Sequence, residues 1–426
     1  MTAVVITVGG KGSRVSSLTE GKSKAEIKIT NAKSIIELQL DKLKILKKKI
    51  FILSNKKFTS LDKLINKKYS KNKIKIIHEE YPLGTAGCLK ILQKEKEKTL
   101  LIISGDLVFN INFIKILKFH KEKKSDCTLI VHPNNHPYDS DTVVVDIHSK
   151  VKKFQKKKSN SKNISNLCLS GIFVIKSSIL KNIKANVFQD FSNDVLTKLI
   201  KSNKRVFAYN TREYIKDAGT PDRIIQVKKE IKSLKFKMGC IDQKIPAIFL
   251  DKDGVINEDK LNFKYQNIKS IFSYVANSIK TINESGYLCI LVTNQPAVAK
   301  GFVKIQKVKN DLNFLQSFLG LHHCYLDRVY FCPCHPDLGF SGELKKFKRN
   351  CSWRKPNNGM LIQANKDLNI DFKKSYFIGD TTNDYLAAKK TGVKFIGVGE
   401  FPKDLKITKK KNLKEAVSYI FKKKIS

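Results

Sequence analysis

The apolar run Ile248-Phe249-Leu250 stops abruptly at Asp251-Lys252-Asp253-Gly254. A short run of this kind predicts a strand buried on both faces, as in a parallel sheet. Residues i and i+2 of a strand face one side. The carboxyl tips of parallel strands are where open α/β sheets carry their chemistry. Two carboxylates held together repel, so the pair predicts a divalent cation with oxygen ligands, Mg²⁺, and one aspartate placed to attack or to move protons. A plain strand followed by an Asp-Gly turn is the alternative for this stretch in isolation. The pattern recurs, however. Leu100 to Gly105 ends at Asp106, Tyr287 to Val292 ends at Thr293-Asn294-Gln295, and Tyr376 to Gly379 ends at Asp380, with Asp384 four residues on. Helical stretches such as Ile35 to Lys47 separate these strands, which constrains the chain to an α/β fold.

At 426 residues the chain is long for one core, and two domains are expected. A Lys-rich stretch from Val227 to Lys244 marks the junction, giving residues 1–230, a linker at 231–245, and 246–426. No apolar run reaches the roughly 18 residues of a membrane span, and Met1 to Val8 opens as a strand without a basic leader. A cytoplasmic protein that does not engage membranes is expected. The net charge of +44 suggests nucleic acid, but only seven of the 82 basic residues are arginine. Phosphate and base readers favour the arginine fork. Lysines spread evenly along the chain fit a solvated surface, and no specific nucleic-acid partner is expected.

The first half carries a glycine turn after its opening strand, Gly9-Gly10-Lys11-Gly12-Ser13-Arg14. Glycines let backbone N–H groups approach a phosphate closely. A second glycine turn, Leu83-Gly84-Thr85-Ala86-Gly87, follows, and Asp106 and Asp217 end later stretches, the latter in Asp217-Ala218-Gly219-Thr220-Pro221. This order resembles the sugar-1-phosphate nucleotidyltransferases over residues 1 to about 225. The resemblance implies that Gly9, Gly10, Gly12, Ser13 and Arg14 hold a nucleoside triphosphate and that Lys24 meets its phosphates. It further implies that Gly84, Thr85 and Gly87 face the base, that Asp106 and Asp217 hold Mg²⁺, and that Lys156 meets the sugar phosphate. Ser23 stands where that family usually has proline, and Gln155 where it commonly has glutamate.

The second half resembles the haloacid dehalogenase-type phosphatases. Its strand-tip Asp251 and Asp253, Thr293, Lys355, and Asp380 with Asp384 fall in that family's order. The resemblance implies that Asp251 is the nucleophile and Asp253 the acid and base. Thr293 and Lys355 would hold the phosphoryl group. Asp251, Asp253 (through its backbone carbonyl) and Asp380 would bind Mg²⁺, supported by Asp384. About 40 residues separate Asp251 from Thr293, which leaves no room there for a large cap domain. The loop Cys332-Pro333-Cys334-His335-Pro336 to Cys351-Ser352-Trp353-Arg354 is similar to the zinc loop of the histidinol-phosphate and heptose-bisphosphate phosphatases. It implies Zn²⁺ on Cys332, Cys334, His335 and Cys351, and recognition of a distal substrate phosphate by Arg354; the strand-tip amides of Asn294 and Gln295 can bind phosphate oxygens without adding charge. Trp353 takes the place of that loop's last cysteine.

Together the resemblances imply two enzymes acting in series on a sugar bisphosphate and a sugar 1-phosphate, with GTP or another nucleoside triphosphate as co-substrate. A heptose is the implied sugar. Two rivals are weighed beside this reading. One is transfer to another hexose 1-phosphate, fused to a histidinol-phosphate-like phosphatase. The other is a nucleic-acid end-processing phosphatase with a non-catalytic first half.

Overall fold

The computed structural model describes residues 1–9, 19, 21–69, 73–157, 165–258 and 271–422. Gly10, Gly12, Ser13 and Arg14 lie outside the described residues. The chain divides into two compact units. One comprises Met1–His132, Asp141–Lys156 and Leu167–Ile241, and most of the other is Asp242–Ser426.

In the first unit β1 (Thr2–Thr7), β2 (Ile50–Asn55), β3 (Ile74–Glu79) and β4 (Thr99–Ser104) lie in the order β3-β2-β1-β4, all parallel. Their cores are Val, Ile, Leu and Phe, buried on both faces in the case of β1, β2 and β4, as a sheet covered by helices requires. Helix α1 (Ile35–Leu43) joins β1 to β2, and α2 (Thr59–Lys68) joins β2 to β3. β5 (Leu107–Asn110) leaves the tip of β4. The rest of the sheet departs from a purely parallel expectation. β9 (Cys168–Lys176) runs antiparallel between β4 and β6 (Cys127–His132), and β10 (Val206–Asn210) completes the edge beside β6. β7 (Thr142–Val145) and β8 (Val151–Gln155) form a hairpin against its end. The reversal follows from connectivity, because that hairpin turns the chain about before β9 begins. β11 (Tyr214–Asp217) returns to pair antiparallel with β5, setting Asp217 opposite Leu107.

The second unit is a six-stranded sheet with every pair parallel. Its strands are β12 (Ala247–Leu250), β13 (Leu288–Asn294), β14 (Arg328–Cys332), β15 (Tyr376–Gly379), β16 (Lys394–Val398) and β17 (Thr408–Lys410). The order β14-β13-β12-β15-β16-β17 reverses direction between β12 and β15, and loops at such a switch diverge to leave a crevice. Apolar clusters cover both faces, one around Leu250, Ile279, Leu291 and Leu315, the other around Phe249, Ile290, Met360 and Phe377. No helix of the described residues is long and apolar enough to cross a membrane.

One buried acid ties local structure to packing. Ser34 precedes α1, and its N–H and Oγ–H donate to Glu37 Oε2 at 2.8 and 2.6 Å. Lys68, at the end of α2, pairs with Glu37 Oε1, and Lys28 with Oε2 at 3.3 Å. Burial would raise this carboxyl, but bonds from Lys68, Ser34 and Lys28 outweigh it and hold the pKa at about 2. A depressed folded pKa stabilises above the ordinary value, and that stability is lost as pH falls through the folded one. Glu37→Gln is therefore expected to destabilise the first unit by about 1–2 kcal/mol at neutral pH. In chemical denaturation its deficit should shrink as pH falls from 4.5 toward about 2.

Candidate active sites

In the second unit the loops after β12 and β15 flank the switch point. Asp251 follows β12, and its N–H donates to Ile378 O at 3.0 Å. Asp380 follows β15, and Asp384 lies in the first turn of α3 (Thr382–Lys389). One oxygen from each of Asp251, Asp380 and Asp384 falls within 4.8 Å of the others. Gly254 makes this possible. A Cβ there would lie 1.9 Å from Asp380 Oδ2, and its φ of +79° is one that side chains rarely adopt.

Lys355 is the cation set among these carboxylates. Its Nζ lies 2.7 Å from Asp251 Oδ1 and 2.6 Å from Asp384 Oδ1, and donates to Val292 O at 3.1 Å. Burial alone would lower its pKa, but Asp251 and Asp384 raise it, so it stays charged. The same burial, with Asp384 and Asp380 nearby, pushes the Asp251 carboxyl well above the usual range despite Lys355. Two of the three grouped carboxylates share one ammonium and Asp380 adds a third negative charge, an arrangement that calls for more positive charge. A Mg²⁺ ion with its hard oxygen ligands fits this group. The Asp253 carboxylate stays apart from it. Lys252 lies 2.6 Å from its Oδ1, Asn257 Nδ2 donates to the same oxygen at 2.9 Å, and Gln295 Nε2 donates to Oδ2 at 3.2 Å. Gln295 also donates to Thr293 Oγ1 at 3.1 Å. Lys252 was missed by sequence reasoning, and the Gln295 amide, read there as a phosphate ligand, instead donates to Asp253 and Thr293.

Two sequence-based expectations change here. Asn294 does not reach outward as a substrate contact. Its Nδ2 donates to Lys355 O and its Oδ1 accepts the Lys355 N–H, both at 3.0 Å, so it fixes the backbone that carries the lysine. His335 is not grouped with the cysteines. Sulfurs of Cys332, Cys334 and Cys351 lie within 4.8 Å of one another. The His335 Nδ1 instead accepts the Asp337 N–H at 3.2 Å, and the ring meets Phe340 edge-on at 6.3 Å. Trp353 packs edge-on against Tyr330 at 6.0 Å. The three sulfurs form a group that could hold a metal ion; a closed zinc site takes four donors, and His335 does not join them as the fourth. Arg354 reaches back, donating through Nη1 to Cys334 O at 3.3 Å.

In the first unit Gly9 and Asp106 follow the adjacent strands β1 and β4, again at a switch in strand order. The Ala218 N–H donates to Asp106 O at 2.8 Å, which brings the Asp217 loop alongside. Gly219 lies between the two carboxylates, where a Cβ would be 3.2 Å from Asp217 Oδ1 and 4.0 Å from Asp106 Oδ2. Burial raises the Asp106 carboxyl, and Asp217 raises it further; a hydrogen bond from Ser104 and the charge of Lys24 act in the opposite sense. Arg223, which the sequence reading passed over, holds both Asp217 oxygens through Nη1 at 2.6 Å. Two carboxylates facing each other across Gly219 are a fitting pair for Mg²⁺.

Ser23 explains how Lys24 is placed without proline. Its φ of −68° is the value a proline would impose, and it caps the short turn Lys24–Glu26 reciprocally with Glu26. The second glycine turn packs within the protein. Ala86 and Gly87 N–H groups donate to Gln189 O at 2.9 and 3.3 Å, and Thr85 Oγ1 donates to Asp190 Oδ2 at 2.9 Å. Lys156 is exposed just beyond β8.

Residues 3–233 match the family described as nucleotidyl transferase, and residues 352–412 match the HAD-hydrolase-like family. The D-glycero-beta-D-manno-heptose-1,7-bisphosphate 7-phosphatase of Yersinia pestis is 36% identical over 146 residues, covering 34% of this chain and 76% of that protein. The phosphatase of the same name from Haemophilus ducreyi is 37% identical over 149 residues, covering 35% and 79%. Among solved structures, HddC from Yersinia pseudotuberculosis is 22% identical, covering 55% of this chain and all of that one, with a TM-score of 0.47.

Lys355→Met leaves buried carboxylates without their ammonium and is expected to cost about 3–5 kcal/mol of stability. Mg²⁺ should restore part of that loss, as read by thermal unfolding with and without the ion. Trp353→Cys places a fourth thiol beside the other three. The variant is expected to retain one equivalent of zinc through dialysis against a chelator that strips the parent, as measured by elemental analysis.

Proposed function

The chain belongs to the nucleotidyl transferase family over residues 3–233 and, over about a third of its length, to the heptose-bisphosphate phosphatases, and on that premise we propose a bifunctional enzyme of nucleotide-sugar synthesis. It removes the 7-phosphate of D-glycero-D-manno-heptose 1,7-bisphosphate, then joins the remaining sugar 1-phosphate to GMP from GTP. Residues 246–426 hydrolyse, residues 1–230 transfer, and 231–245 link them. The observation that most supports this reading is the group of Asp251, Asp380 and Asp384, with Lys355 paired to Asp251 and Asp384.

In the hydrolytic half Asp251 attacks the phosphorus and takes the phosphoryl group as an aspartyl-phosphate. Asp253, steered by Lys252, Asn257 and Gln295, gives its proton to the departing sugar oxygen. It then takes a proton from the water that releases phosphate. Lys355 and Thr293 hold the phosphoryl oxygens, and Asn294 keeps Lys355 in place. Arg354 meets the phosphate that is retained. Asp251, Asp380 and the Asp253 carbonyl would hold Mg²⁺, whose charge would offset that of two approaching anions.

In the transferring half a sugar-phosphate oxygen attacks the α-phosphorus of the triphosphate and pyrophosphate leaves. Asp106 and Asp217 are the proposed Mg²⁺ ligands, Lys24 and the glycine turn from Gly9 to Arg14 hold phosphates, and Lys156 approaches the sugar phosphate. A metal held there would supply the charge that lets both anions meet.

Purified protein with Mg²⁺, GTP and the heptose bisphosphate is expected to release phosphate and then form GDP-heptose. Asp251→Asn should lower phosphate release at least ~1,000-fold and leave transfer to supplied heptose 1-phosphate intact. Asp217→Asn should do the converse. Loss of both activities in either folded variant would overturn the two-site reading.

A further inference from the structure

Arg223 is a charged residue that none of these steps uses. It is the third residue of the helix Pro221–Glu230, and Thr220 caps the start of that helix by accepting the Arg223 N–H at 3.4 Å. The side chain turns back over the cap, where Nη1 meets both Asp217 oxygens at 2.6 Å. The Gly219 N–H also donates to Asp217 Oδ1, at 3.2 Å. Among the described residues, Oδ1 thus has both lone pairs engaged and Oδ2 keeps one. The two partners of the ion pair are 38% and 39% exposed. A pair so open to water contributes little to folding. What it does change is the charge beside Asp106. The two carboxylates there are matched by two cations, since Lys24 also acts on Asp106. The second unit is balanced differently, with Asp251, Asp380 and Asp384 grouped and Lys355 their one ammonium. A surplus of negative charge attracts a free divalent cation, and an even balance does not.

We propose that Arg223 is a positioning residue that holds Asp217 for a metal carried in by the nucleotide and keeps free divalent cations out of the first unit. Without nucleotide, the guanidinium stands against Asp217 and offsets the repulsion between the two carboxylates. A nucleoside triphosphate brings several negative charges of its own. Only when those charges join Asp106 and Asp217 does the balance favour a divalent cation. The guanidinium then stays useful, because it fixes the plane of the carboxylate while one Oδ2 lone pair remains to be used. The consequence is an order of events. The first unit takes its metal together with its substrate, whereas the second can hold one at rest. This inference rests on the transferase reading of the first unit.

The test counts Mn²⁺, standing in for Mg²⁺, by equilibrium dialysis of the full chain, with bound GTP counted alongside and no sugar added. The parent is expected to hold one equivalent without nucleotide and two with GTP. Arg223→Gln is expected to hold two without nucleotide, because loss of the charge tightens the first-unit site ~10-fold. Adding Asp217→Asn to that variant should return the count to one. Arg223→Lys keeps the charge and should stay at one. A residue that merely braced the fold would not yield a new metal site when removed. Two equivalents in the nucleotide-free parent, or one in folded Arg223→Gln, overturns the proposal. If Arg223→Gln does not fold, the rise of the parent from one to two with GTP still decides. GTP bound without a second Mn²⁺ would refute the role of Arg223 and leave the transferase reading standing. No GTP bound would refute the transferase reading, and the Arg223→Gln count would still decide whether Arg223 keeps free cations out.

Discussion

Repulsion between carboxylates gathered at strand tips is the constraint on which the rest of this molecule depends. Asp251, Asp380 and Asp384 are brought within a few ångströms because the adjacent parallel strands β12 and β15 end there. Such a group persists in a buried place only with compensating positive charge. Lys355 supplies one charge, and the surrounding structure is arranged to hold it. Asn294 grips its backbone, Val292 accepts from its ammonium, and Gly254 leaves room for Asp380. The lower-charge version of the same arrangement occurs in the first unit, where Asp106 and Asp217 face each other with Lys24 and Arg223 nearby.

Both units solve the placement problem in the same way. A run of parallel strands reverses its order, the loops on either side of the reversal diverge, and the crevice receives residues from two strand tips. Asp251 and Asp380 flank β12 and β15, while Gly9 and Asp106 flank β1 and β4. The sites therefore lie where backbone topology opens the sheet, and the apolar strands beneath give the charged residues a rigid base. The abundance of lysine contributes little to either site. Most lysines are surface residues, and the few that matter are singled out by burial among acids.

Much of this could be read along the chain. Apolar runs ending in Asp, Thr or Gly-Asp located the parallel strands and the residues at their tips, because the strand period and the strand length are local properties. Side-chain partners were less legible. Asn294 sits next to Thr293 in sequence, yet its amide turns to a backbone segment 61 residues away. His335 directly follows Cys334, but neighbouring residues in an extended segment point apart, and its ring joins Phe340 while the three sulfurs converge elsewhere. Ser23 looked like a lost proline and proves to hold proline's backbone angle while capping the next turn.

The sequence by itself determined that the chain is α/β, that its aspartates end buried strands, and which of them share a strand tip, since hydrophobic pattern and residue spacing encode these directly. Tertiary structure decided what distance in sequence conceals. It set β9 antiparallel between β4 and β6, brought Asp217 back to Asp106 across 111 residues, and set the Glu79 carboxylate against Gly9 and the Leu83 N–H. Those outcomes rest on long-range pairing and on which buried charge finds a partner, and no local pattern specifies either.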